Sequence, residues 1–140
     1  MKLEEIRRLP DIIPIEESMK LFKKALSSFH EKEINKQQFL EILLELTERQ
    51  VKTYEILEND LRNEVDRCIV SIWNTDSYND VDAILSIVVN LGLVKTYDLV
   101  KESLNGQEDI REDIYEEIKE CVDENGDDVS NPYRFLEYNN

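Results

Sequence analysis

The chain has 140 residues, 41% hydrophobic and 35% charged, with 32 acidic and 17 basic side chains and a formal net charge of −15. That is one domain's worth of chain with enough apolar content for a packed core, which excludes a disordered segment. Three glycines and three prolines are too few for the turns of a β-sandwich or barrel. An all-α fold of about six short amphipathic helices follows, in a single helical domain over residues 1–140.

Residues 1–13 read as a loose lead-in. Pro14 suits a first helical turn, and Glu16 and Glu17 suit the positive end of its dipole. Phe22, Ala25, Leu26 and Phe29 then follow the i, i+3, i+4, i+7 rule, predicting a first helix over residues 15–30. Asn35 with Gln38 three places on has the form of a capping box. The stripe of Phe39, Ile42, Leu43 and Leu46 carries that second helix to about Gln50. Residues 53–59 read equally as helix or as break.

Leu61, Val65, Cys68, Ile69, Ile72 and Trp73 make the third stripe, closed by the turn cluster Asn74-Thr75-Asp76-Ser77. Asn79 or Asp80 is the expected cap of a fourth helix, with Val81, Ile84, Leu85, Val88 and Leu91 inward. Gly92 stands where a left-handed C-terminal cap is wanted. A short fifth helix covers Thr96 to Leu104. A sixth begins near Glu108, uses Ile110, Ile114, Ile118, Cys121 and Val122, and ends at Gly126. The tail, 127–140, reads as irregular, though Val129, Tyr133, Phe135 and Leu136 are apolar enough to pack back. Ile84, Leu85, Val88 and Leu91 lie 30 residues before Ile114, Tyr115, Ile118 and Cys121. That echo leaves two arrangements open, HEAT-like helical hairpins or a helical bundle.

No apolar run approaches the ~18 residues of a membrane span, and the start, MKLEEIRRLPDII, has no signal-peptide core. A cytoplasmic protein without membrane contact is the expectation. Cys68 and Cys121 fall on apolar stripes and read as buried free thiols, too few for a disulfide framework.

Catalytic chemistry finds little to build on. His30, the only histidine, closes a helix and has no Ser, Cys or second His at a motif spacing. One His and two distant Cys do not make a zinc set. Asp123, Asn125 and Asp127 match the first, third and fifth positions of a calcium loop, but its sixth-position Gly is Asp128 and its twelfth-position Glu is Arg134. That segment reads as a helix end and an acidic turn. With only Gly92, Gly106 and Gly126, no phosphate-cradling loop or nucleophile elbow is available. No enzyme, metal or cofactor is expected.

The charge is unevenly divided. Residues 1–70 carry 15 acidic against 12 basic side chains, and residues 71–140 carry 17 against 5. Phosphate contacts need clustered Lys and Arg, so direct nucleic-acid binding is opposed. The expected function is capture of a basic partner. The candidate contact residues are Asp76, Tyr78, Asp80 and Asp82 at one turn, and Glu108, Asp109, Glu112, Asp113, Glu116 and Glu120 along the last helix, where Glu117 also lies. Tyr78, Trp73 and Tyr115 could anchor such a contact, although the Trp73 stripe position favours the core.

Four segments resemble one family: Ile69 to Trp73 (IVSIW), Leu91-Gly92-Leu93, the short Tyr97 to Leu104 helix, and Gly126 to Tyr133 (GDDVSNPY). Over residues 60–136 the chain is similar to the immunity proteins of bacterial polymorphic-toxin systems, in particular the immunity protein 30 family. The resemblance implies a small all-helical cytoplasmic protein that binds one cognate secreted toxin, often a nuclease whose basic phosphate groove an acidic protein can occupy. A helical-repeat adaptor binding a basic protein is the other reading. Residues 1–59 carry no part of the resemblance.

Overall fold

The computed structural model describes residues 1–106 and 109–133. Among them are seven α-helices and no strand: α1 (Leu3–Arg7), α2 (Ile15–His30), α3 (Lys36–Val51), α4 (Asn59–Ile72), α5 (Tyr78–Leu91), α6 (Val94–Asn105) and α7 (Glu112–Asn125). The all-α expectation holds. None of these helices is long and apolar enough to cross a membrane.

Local signals placed most of the helices. Asn35 Oδ1 accepts from the Gln38 amide at 2.8 Å while Gln38 Oε1 accepts from the Asn35 amide at 2.9 Å, the reciprocal capping box at the start of α3. The cap of α5 is Ser77, not Asn79 or Asp80: its Oγ accepts from the Asp80 amide. The Asn74 side chain explains the earlier start, because it accepts from the Asp76 and Ser77 amides and closes the turn there. At the last helix the correction runs the other way. Arg111 is the N-cap residue of α7, and Ile110 packs on the core from outside the helix.

The first 13 residues are not loose. They contain α1, with Ile6 and Ile13 buried. Arg49, itself buried on α3, donates to the carbonyls of Leu9 and Pro10 at 3.0 and 3.1 Å. A guanidinium can be buried when its fork is filled in this way. Residues 127–133 are irregular but tied down. Val129 is fully buried. Arg62 donates to the Ser130 carbonyl, and the Tyr133 hydroxyl lies 3.1–3.3 Å from the carbonyls of Gln50, Val51 and Glu55. Phe135 and Leu136, expected to pack back, lie outside the described residues.

The helices pack in two rows. α1, α3, α5 and α7 are successive neighbours in one, and α2, α4 and α6 in the other. Hairpin partners α2–α3, α4–α5 and α6–α7 join the rows, which is the neighbour pattern of stacked helical hairpins. The Phe29 and Phe39 rings stack with centroids 4.3 Å apart between α2 and α3. α6 lacks a local side-chain cap. The buried Asp66 of α4 supplies one from the next helix in its row, accepting from the Lys95 and Thr96 amides at 2.9 Å and the Thr96 hydroxyl at 2.7 Å.

α5 is the hub. Val81, Ala83, Ile84, Leu85, Ile87, Val88 and Leu91 are all buried, because it has neighbours in both rows. The echo between α5 and α7 holds for Ile84 with Ile114 and Val88 with Ile118, four core residues. It fails for Leu85 with Tyr115, since the tyrosine is exposed. α7 ends its row and has no helix on its far flank among the described residues.

Two backbone positions make opposite predictions. After α2, the Lys32 amide bonds to the Phe29 carbonyl and the Glu33 amide to the Ser28 carbonyl, a Schellman ending with Lys32 at φ 62°. Lys32→Gly removes the left-handed penalty at the expense of a floppier unfolded chain, for an expected net gain of about 0.5–1 kcal/mol by denaturant titration. Gly92 has φ 73°, and a Cβ there would stand 2.9 Å from the Val129 carbonyl oxygen and 3.0 Å from that of Ser130. Gly92→Ala therefore meets both a strained backbone and a displaced tail, and should cost about 2 kcal/mol or more in the same titration.

Candidate functional site

The charged segments converge where α5 and α7 pack. Along α7, Glu112, Glu116, Glu120 and Glu124 succeed one another at i, i+4 intervals, all exposed. None of the four has an ion pair among the described residues. Like charges at this spacing repel by roughly 0.2–0.5 kcal/mol per pair, so the ridge works against the helix that carries it. The cations nearby are already engaged: Arg111 pairs with Asp113 and Lys119 with Asp123. The Arg111 fork holds the Asp113 carboxyl below the usual carboxylate range.

Beside the ridge runs a groove of about 260 Å³ between α5 and α7, with Asp82, Glu117, Glu120 and Glu124 on its walls and Ser86 and Asn90 on the α5 side. Glu117 is half-buried. Burial first, and then the neighbouring Asp82 carboxyl, raise its pKa, while the Tyr78 hydroxyl donates to it at 3.0 Å and pulls the other way. The same bond, with the Glu117 charge, makes the Tyr78 proton harder to remove.

Sequence-selected residues thus part into two groups. Asp82, Glu116 and Glu120 lie on this face or its rim, and Glu112 and Asp113 at its N-terminal end; Asp76 and Asp109 are exposed outside the helices. Tyr78 is half-buried with its hydroxyl on Glu117. Asp80 does not belong to a contact surface. It is 1% exposed, with Lys36 Nζ and Gln37 Nε2 at 2.7 Å and Asn74 Nδ2 at 3.1 Å. Burial works against its charge, but those three partners outweigh it and hold the carboxyl below its ordinary value. Its role is to join α5 to the start of α3. Glu108 lies outside the described residues. Of the aromatics, Trp73 closes α4 and donates to Ser103 of α6 at 3.3 Å, a packing role.

Elsewhere, His30, Glu64, Arg67, Cys68 and Ser71 line a groove of about 600 Å³ between α2 and α4, a convergence that sequence spacing does not reveal. Ser71 donates to the Cys68 carbonyl at 2.6 Å. No hydrogen bond joins His30 to Cys68 or Ser71 among the described residues. Burial pushes the Cys68 thiol up to about 11, so it is protonated at neutral pH and a poor nucleophile. Cys121 is half-buried rather than buried, with its thiol also raised to about 11, chiefly by burial. Asp123 and Asn125 are part of α7, the first paired with Lys119 and the second donating to the Cys121 carbonyl. This is the helix end read from the sequence in place of a calcium loop.

Comparison of the chain with protein-family models, with curated proteins and with solved structures gave no match.

The Glu117 environment makes a pH prediction. Its folded pKa is raised, so the folded state holds the proton more tightly than the unfolded chain does. Stability from this group is present at low pH and is lost as pH rises through the folded pKa. Glu117→Gln keeps an acceptor for Tyr78 and removes the charge. The variant should melt higher than the parent at neutral pH and lose that advantage below about pH 4. An equal gain at every pH would show that charge is not the cause.

Proposed function

We propose that the protein is an immunity protein that binds and neutralises a cognate basic toxin domain, of nuclease type, through the acidic face formed by α5 and α7. The observation that carries this reading is the unpaired glutamate ridge. Glu112 stands in the first turn, where the helix dipole favours it, but Glu116, Glu120 and Glu124 repel one another a turn apart with no ion pair among the described residues to offset the loss. A cationic partner supplies the missing counter-charge. Such a surface also steers encounter, raising association rates toward ~10⁸ M⁻¹s⁻¹ at low salt. Fast capture suits an inhibitor that must stop a few lethal molecules, and a groove built to hold phosphates is basic.

The segments that resemble the immunity protein 30 family support the scaffold more than the contact. Ile69, Leu91, Leu93, Tyr97, Val100 and Val129 are buried, so they bear on how the helices stack. The two-row packing favours a second reading, a helical-repeat adaptor that uses the same acidic face on a basic protein that is not a toxin.

The test combines Glu116→Lys, Glu120→Lys and Glu124→Lys. Association with the toxin domain encoded beside this protein should slow several-fold and lose its salt dependence, with the melting temperature unchanged or higher, and co-expression should no longer protect cells. Unchanged association would move the interface elsewhere. Failure of the parent protein to protect cells, with binding intact, would leave the adaptor reading.

A further inference from the structure

On the other flank of α5 lies a second groove, of about 300 Å³, between α3 and α5. Half-buried Leu44 and Val51 wall it, and Glu48 and Lys52 rim it. Ser86 and Asn90 of α5 line this groove and the acidic one alike. The two are therefore continuous across the width of one helix. Thr47 also lines the α3–α5 groove; it is 2% exposed, and its hydroxyl is buried without a hydrogen-bond partner among the described residues. It stands beside an apolar groove that no side chain among the described residues fills.

We infer that the two grooves form one docking surface for a single cationic and amphipathic segment of the partner protein. Lys or Arg side chains of that segment lie against Asp82, Glu120 and Glu124, and a neighbouring Leu- or Phe-sized side chain enters between α3 and α5. This rests on the acidic-face reading and deepens it, because it brings the near-neutral α3 into the interface. Charge complementarity selects the occupant. A nucleic acid or an anionic lipid surface is repelled by this face, and a second copy of the chain brings another net charge of −15. An apolar anchor in a pocket with charges beside it is the usual division of labour at an interface: the anchor supplies affinity, the charges supply rate and selectivity.

The probe is a random short-peptide library displayed on phage and selected against the intact protein. Enriched sequences should pair Lys or Arg with Leu, Ile or Phe at a recurring spacing. A synthetic copy of the most enriched peptide should lose about tenfold in affinity to Val51→Asn, equivalent to about 1.4 kcal/mol, and a similar factor to Glu120→Lys with Glu124→Lys. Ser86→Trp, at an exposed helix position, should block both grooves and abolish binding, and circular dichroism of each variant confirms that it is folded. Basic peptides without a recurring apolar position, unaffected by Val51→Asn but still lost with the glutamate reversals, would overturn the inference and leave the acidic face standing. Peptides with no basic excess, indifferent to the glutamate reversals, would overturn both.

Discussion

Everything in this fold leans on the burial of α5. Eight of its 14 residues are buried, and its apolar arc is broad, leaving a narrow stripe of Asp82, Ser86 and Asn90 toward solvent, so a single neighbour does not cover it. It needs neighbours on several sides and finds them in α3, α4, α6 and α7. Two rows of helices are the solution that this requirement admits. Its ends are held as firmly as its flanks. Asp80 ties the first turn to Lys36 and Gln37 of α3. Gly92, at the other end, lets the tail pass within van der Waals distance.

The placement of charge follows from that packing. α7 covers one flank of α5 and ends its row, so a broad stripe of its surface faces water and can carry glutamates without desolvating them. The part of α5 left open between α3 and α7 shows small polar residues, Ser86 and Asn90. A long side chain there would close both grooves. Glu117, turned toward α5, carries a desolvation penalty, and its raised pKa is the sign of it.

Legibility of the site was uneven, and the reason is the same in each case. Asp80 and Asp82 are two residues apart in a plainly amphipathic helix, and nothing local says that one is sealed in a polar pocket while the other lines an acidic groove. Asp66 and Arg49 look like surface charges in the sequence. Each is buried because it satisfies backbone groups about 30 to 40 residues away: the amides of Lys95 and Thr96 for the first, the carbonyls of Leu9 and Pro10 for the second. The lead-in misread as loose is held by that second contact.

By itself, the sequence determined the helical class, the capping box at Asn35, the left-handed stop at Gly92 and the concentration of negative charge in the second half. These depend on spacings of a few residues or on composition, and local sterics and hydrogen bonding act over that range. The tertiary structure alone decided which carboxylates face solvent, that Ser77 caps α5, that α3 and α7 flank one helix, and that the tail reaches back to the end of α3. Those outcomes turn on which surfaces meet in space, where a buried charge survives only if a distant partner arrives to bond it.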